Sequence, residues 1–192
     1  NPNEWSIDAA YARKLGENFS GGLTLRYIYS NLTGGIAIQN NTIQTRPGTS
    51  VAADLSAYYT KEIDLSGKDA KMSYGLNISN IGSKISYTDT KTKDFIPANF
   101  RLGSNLELAL DDYNTISWGI DINKLLVPTP PVYWKGVDGR DSIANNKKVI
   151  REGRDPSNIS PANALFSSWS DAPAGFREEL KEFIWCTGLE YW

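Results

Sequence analysis

The stretch Asn99-Phe100-Arg101-Leu102-Gly103-Ser104-Asn105-Leu106-Glu107-Leu108-Ala109-Leu110 decides the fold. Phe100, Leu102, Leu106, Leu108 and Leu110 alternate with Arg101, Gly103, Asn105, Glu107 and Ala109. A period of two places one set on each side of an extended strand, whereas a helix would scatter both sets around its axis. The pattern continues downstream, where Ile116, Trp118, Ile120 and Ile122 oppose Ser117, Gly119, Asp121 and Asn123. Upstream, Met72, Tyr74, Leu76 and Ile78 oppose Ser73, Gly75, Asn77 and Ser79. Val51, Ala53, Leu55, Ala57 and Tyr59 oppose Ala52, Asp54, Ser56, Tyr58 and Thr60, and Leu23, Leu25, Tyr27 and Tyr29 oppose Thr24, Arg26, Ile28 and Ser30. With weaker versions at 4–15 and 182–192, the periodicity predicts about seven strands of roughly 10 to 13 residues.

Strand length carries the next step. Strands of soluble proteins average about 5 to 6 residues, while a tilted strand crossing a bilayer needs about 9 to 11. The connections also alternate in length. Segments 16–19, 64–70 and the turn at Asp111-Asp112 are short, and 33–50, 83–98 and 128–181 are long. Outer-membrane barrels sort their connections in this way, with short periplasmic turns and longer extracellular loops, and a soluble sandwich has no reason to. The expectation is therefore an all-β fold, a transmembrane antiparallel up-and-down β-barrel whose long loops project outward. Trp5, Tyr27, Tyr29, Trp118, Trp185 and Tyr191 share the apolar phase, several near strand ends where aromatic girdles lie.

Composition agrees and excludes. Among 192 residues, 40% are hydrophobic, 22% charged, and the net charge of −2 lacks the basic excess of a nucleic-acid binder. The absence of histidine removes the commonest general base and metal ligand, and the single Cys186 supports neither an internal disulfide nor a thiolate cluster. A mean hydropathy of −0.41 looks soluble, yet alternate lipid-facing residues make an average blind to a barrel. No basic and apolar leader opens the chain, and Asn1-Pro2-Asn3 runs almost directly into a strand pattern. The expectation is a single-domain piece, 1–192, of a longer barrel.

The segment 128–181 exceeds what a connector needs. It begins with the stiff Pro128-Thr129-Pro130-Pro131, passes a charged middle, and ends in a short helix expected over 176–181, with Asp171 or Ser170 as cap. Trp134, Phe166, Trp169 and Phe176 stand in this otherwise polar loop. Such aromatics suit either protein-binding anchors or packing of the loop onto itself or over the barrel mouth. Arg101, Glu107 and Asp121, on the polar phase, would line the lumen, pairing with each other or with water. Asp111-Asp112 and Glu178-Glu179 are paired carboxylates that a solvated turn and a helix start explain without acid–base chemistry. Asp138-Gly139-Arg140-Asp141, with Asn145, offers oxygen ligands but lacks a calcium loop's spacing and terminal bidentate Glu, so a surface turn is the plainer reading. Neither metal nor other cofactor is expected.

Several phrases resemble a known family. They are Asn77-Ile78-Ser79-Asn80-Ile81-Gly82-Ser83-Lys84-Ile85-Ser86-Tyr87; Ile96-Pro97-Ala98-Asn99-Phe100-Arg101-Leu102-Gly103; Leu126-Val127-Pro128-Thr129-Pro130-Pro131; Ser170-Asp171-Ala172-Pro173-Ala174-Gly175-Phe176; and Gly188-Leu189-Glu190-Tyr191-Trp192. In order and spacing they resemble the PorV family, the outer-membrane barrels of the Bacteroidota type IX secretion system. Ala174 departs from the family's phrase, which has Gly there.

The resemblance implies a barrel related to the FadL fatty-acid transporters, with about 14 strands in the whole protein and about seven here. It also implies a non-enzymatic role. Such a protein accepts secreted cargo at the translocon barrel, recognises the cargo's C-terminal signal domain, and passes it to a cell-surface sortase and attachment complex. Partners would be those proteins and outer-membrane lipid, with no nucleic acid. A FadL-type transporter of hydrophobic small molecules is the first rival, and a soluble all-β adhesin the second.

Overall fold

The computed structural model describes residues 1–32, 46–88, 93–145 and 147–192. Most of the first long loop, at 33–45, thus lies outside the described residues. Seven long strands form one antiparallel sheet: β1 (Asn3–Lys14), β2 (Phe19–Asn31), β3 (Gly48–Asp64), β4 (Asp69–Gly82), β5 (Asn99–Ala109), β6 (Thr115–Leu125) and, after the long loop, β11 (Phe183–Tyr191). Within the loop, β7 (Val132–Tyr133) pairs with β10 (Ile150–Glu152), and β8 (Ile143–Ala144) with β9 (Lys147–Lys148). The loop also holds two helices, α1 (Pro161–Ser167) and α2 (Phe176–Glu179), where the sequence suggested one.

The sheet order β1-β2-β3-β4-β5-β6-β11 is a plain meander, because each strand pairs with its chain neighbour through a hairpin or loop. Lengths run from 9 residues in β11 to 17 in β3, a wider spread than the periodicity indicated. Described strands leave β1 and β11 as the two sheet edges.

Register sorts the side chains. Leu76, Leu102, Ile122 and Trp185 lie in one row on one face, and the adjacent row Asn77, Arg101, Asn123 and Ile184 lies on the other. Every long strand keeps this phase, so one face is mainly apolar and aromatic and the other mainly polar, with Ile28, Tyr58 and Ile184 on the polar face and Lys61 and Lys124 on the apolar face among the exceptions. Nothing in the described chain covers most of the apolar face. Ile7, Tyr11, Leu25, Val51, Leu55, Leu189 and Tyr191 are all exposed.

The turn between β3 and β4 shows how local chemistry sets this register. Ser66 and Gly67 have φ of 59° and 80°, the two positive values of a type I′ hairpin, and Leu65 and Lys68 exchange backbone hydrogen bonds across it. At the other end of β4 an extra residue makes a bulge, since Ala53 faces Ile81 while Leu55 faces Ile78. Asn80 takes the strained place with φ of 58°, which its short polar side chain tolerates.

The buried apolar cluster is not inside the sheet but on its polar face. Ile85 and Ile96 of loop 83–98 fold back onto Ala52, with Ile28 and Tyr87 against them. The described part of this loop therefore does not simply project outward. Its two isoleucines are removed from water only by turning over the sheet. Gly82 makes the approach possible, because a Cβ there would lie 2.3 Å from the Val51 carbonyl oxygen and 2.7 Å from Ile96 Cδ1. Gly82→Ala is expected to cost about 1–3 kcal/mol, the usual range for overpacking, read as a lower unfolding midpoint in urea. An unchanged midpoint would show that the loop does not rest there.

Candidate functional site at the long-loop rim

All three long loops leave the same end of the sheet, so the rim they form is where this fold can present varied side chains. The longest begins as Leu126 donates its N–H to the Ala98 carbonyl. It ends in α2 and a 3₁₀ turn (Leu180–Glu182) that feeds β11. Helix α1 starts at Ser160, whose hydroxyl accepts from Asn163 N–H at 3.2 Å, with Pro161 at the first helical position. Helix α2 differs from expectation. Its cap is Gly175 at φ 77°, not Asp171 or Ser170, and Glu178 accepts from Ala174 N–H. Pro173, Ala174 and Gly175 intervene, and Asp171 is engaged elsewhere.

That engagement is a charged cluster. Lys124 sits between Phe100 and Phe183 in the outermost row of the apolar phase, and its side chain is 0% exposed. It donates to Glu179 at 2.7 Å and Glu182 at 2.6 Å. Glu179 also accepts from Ala172 N–H. Asp171 accepts from the Thr129 N–H at 3.2 Å and contacts the Thr129 hydroxyl at 3.0 Å, and the same hydroxyl contacts Glu182 at 2.8 Å. Thus Glu179, read from the sequence as part of a solvated helix start, is buried and paired. Burial pushes the Asp171 carboxyl above the ordinary aspartate range, against the lowering effect of the Thr129 hydrogen bonds.

The four loop aromatics do not act as one group. Trp169 packs edge-on against Phe100 at 5.1 Å between ring centroids and against Phe183 at 6.1 Å, which roofs the row that holds Lys124. Trp134 lies beside the Arg151 guanidinium at 5.7 Å. Phe166 on α1 and Phe176 on α2 point away from the protein, 78% and 75% exposed. In the nearby hairpin, Asp141 binds both Lys135 and Lys148, and those hydrogen bonds hold its carboxyl below the ordinary range. The carboxylate that a calcium ion would need is thereby neutralised, and the segment is a salt-bridged turn. No cluster of metal-ligating side chains occurs among the described residues.

On the polar face, Glu107 lies opposite Lys71 and Ser117, Asp121 opposite Gly103 and Cys186, and Arg101 opposite Asn77 and Asn123. No ion pair among the described residues joins the three, because register sets them in different rows. Glu107 and Asp121, with Asn105, Ser117 and Glu190, line an open groove of about 590 Å³, and Arg101 lies beyond it. Asp121 uses space that only glycine leaves, since a Cβ on Gly103 would stand 2.3 Å from its Oδ1.

A tighter constellation escaped the sequence reading. Arg26 donates to Asp8 at 2.7 Å, to Asp54 at 3.1 Å and to the side chain of Asn80, while Asp54 accepts from the Asn80 N–H at 2.7 Å. It links the four strands β1 to β4 across the bulge. The shared polar phase of Arg26 and Asp54 is legible in the sequence, but not the register that joins them to Asp8 and Asn80.

No curated protein matches the chain. The family model described as "Type IX secretion system protein PorV" matches residues 1–132, which takes in β1 to β6 with their turns and the opening of the long loop. The clustered helices and β11 follow that region. By the extent of this match, the chain belongs to the PorV family of type IX secretion system proteins.

Proposed function

We propose that this sheet is part of the wall of an outer-membrane barrel and that its rim binds secreted cargo without catalysing a reaction. The observation that carries the first half is the uncovered apolar face, backed by a polar one. Such a face exposed to water would be an association hazard, whereas hydrocarbon satisfies it. Trp5, Tyr27 and Tyr29 cluster toward the long-loop end, and Phe19, Tyr59 and Tyr74 share a row toward the short-turn end. At about 3.3 Å per residue and a tilt of about 40°, Phe19 and Tyr29 stand roughly 25 Å apart in height, the span of a lipid-facing band. Pairing on both sides satisfies the backbone groups of β2 to β6, as the bilayer interior demands, while the outer edges of β1 and β11 are sides that further strands of a barrel would pair.

Family membership supports a place in type IX secretion, and the rim supplies surfaces for partners. In this reading the cargo's C-terminal signal domain docks on the long loop before transfer from translocon to attachment complex. Phe166 and Phe176 are the anchors, because they are the loop aromatics least committed to packing. Trp134 and Trp169 shape the surface. The groove, in which Glu107, Asp121 and Glu190 bring three carboxylates beside Asn105, Ser117 and Thr187, argues against a hydrophobic solute as the transported species, although Leu189 and Trp192 also line it.

Phe166→Ser with Phe176→Ser, in the correctly inserted barrel, is expected to weaken capture of a purified cargo signal domain by at least about tenfold, given that anchor residues each contribute more than about 1 kcal/mol. Capture at the original strength would remove the long loop from the docking surface.

A further inference from the structure

The contacts around Thr129 do not balance if every carboxylate of the cluster is ionised. A threonine hydroxyl has one proton to donate. Its oxygen nevertheless lies 3.0 Å from Asp171 Oδ1 and 2.8 Å from Glu182 Oε1, both acceptors when charged. A single proton serves both contacts only as a weaker, shared three-centre bond, whereas two full hydrogen bonds at these distances take a second proton, which a carboxyl can supply. Glu182 is paired with the Lys124 ammonium, which donates to its other oxygen at 2.6 Å. Asp171 has no lysine or arginine in an ion pair among the described residues, and it is buried. The order is then Asp171 Oδ1–H to Thr129 Oγ1–H to Glu182 Oε1, with the Thr129 N–H serving Asp171 Oδ2.

We propose that this cluster is a proton-operated latch: Asp171 carries a proton while the long loop is docked on β6, and loss of that proton releases the segment. Every part of the latch joins distant pieces of chain. Lys124 belongs to β6, Thr129 to the loop's beginning, Asp171 to the stretch before α2, Glu179 to α2 and Glu182 to the 3₁₀ turn. The charged groups facing Asp171 are Glu179 and Glu182, both of which disfavour a further negative charge, with Lys124 engaged by those two. When Asp171 ionises, the Thr129 hydroxyl can satisfy only one carboxylate, and the other faces a lone pair at hydrogen-bond distance. Buried repulsion of this kind is relieved by letting 171–182 swing into water.

The sign follows from proton linkage. Asp171 has a raised pKa when docked and an ordinary one when released, so the docked state binds more protons. Docking is fully favoured below the ordinary aspartate value and weakens as pH rises from there through the raised value. Across that window the opening constant grows by about tenfold per pH unit. The latch concerns the loop's own conformation and stands apart from the cargo-binding reading.

The test uses the intact protein, with Cys186→Ser removing the native thiol and Phe176→Cys carrying a spin label. The label is expected to show the restricted motion of an ordered helix surface in mild acid and to gain mobility as pH rises. Asp171→Asn, whose amide N–H donates permanently to Thr129, is expected to keep the label's motion restricted throughout, and Asp171→Ala to make its mobility independent of pH. A carboxylic-acid C=O infrared band should be present in the docked wild-type protein and absent from Asp171→Asn. The proposal is overturned by a label whose mobility ignores pH, by Asp171→Asn retaining the wild-type response, or by an acid band that survives that substitution.

Discussion

Lys124→Met is expected to undock the long loop while leaving the sheet folded. The ammonium is fully enclosed, and it neutralises Glu179, itself buried, and Glu182. Methionine retains the apolar stem and its contact with the Phe100–Phe183 row, so the change isolates the charge. Removing one partner of a buried pair leaves the other as an uncompensated charge, at a cost of about 3–5 kcal/mol. The sheet is secured by its own hydrogen-bonded ladders, so the cost falls on docking of 171–182. Its opening constant should rise by two to three powers of ten or more, at about 1.4 kcal/mol per power. Limited proteolysis reads this directly, as rapid cleavage within 128–182 and continued protection of β1 to β6. Adding Glu179→Gln should restore part of the protection, because the orphaned charge is then gone. Unchanged cleavage in Lys124→Met would mean that the charged cluster does not hold the loop.

A lysine on the apolar face should be the second large effect, and it separates a bilayer from water. Leu25 lies in the middle of β2, opposite Ala9 and Ala53, and Thr24 beside it points to the polar face opposite Ala10 and Asp54. Leu25→Lys is expected to lower folding stability in bilayers by about 2–4 kcal/mol, the cost of lysine near the midplane of a barrel's lipid face. Thr24→Lys, one residue away, should change stability by no more than about 0.5 kcal/mol. A sheet exposed to water on both faces would tolerate both equally. Urea-driven unfolding from vesicles measures the difference.

The sequence carried the meander well because its signals were local. The two-residue period in 99–110 assigned the faces of β5, and the Asp111-Asp112 turn and the short–long alternation gave the connectivity. Turn chemistry was equally local. Asp111 accepts from the Tyr113 and Asn114 N–H groups, and these bonds keep its carboxyl below the ordinary range at 110–114. What stayed hidden depended on partners far along the chain. Arg26 meets Asn80 only after three strands have aligned, and Lys124 meets Glu179 only after the loop returns. A lone charged residue reads as solvated until its partner is in place, which is why Glu179 reads as part of a helix start and Lys124 carries no signal of its own. Loop 83–98 looked outward for a similar reason. Ile85 and Ile96 show no period of their own and gain a role only against Ala52. The loop aromatics were found by type, but their exposures, which divide Phe166 and Phe176 from Trp169, belong to packing that no spacing encodes.

Accessibility along β5 bears most directly on the reading of one greasy and one wet face. Spin labels placed singly at positions 101, 102 and 104 to 107, in the Cys186→Ser protein reconstituted into vesicles, would be exposed in turn to oxygen, which concentrates in hydrocarbon, and to a water-soluble nickel chelate. The account predicts strict alternation, with Leu102, Ser104 and Leu106 positions relaxed by oxygen and Arg101, Asn105 and Glu107 positions by nickel. Labels at Leu102 and Leu106 shielded from both reagents would place that face against protein and contradict the account.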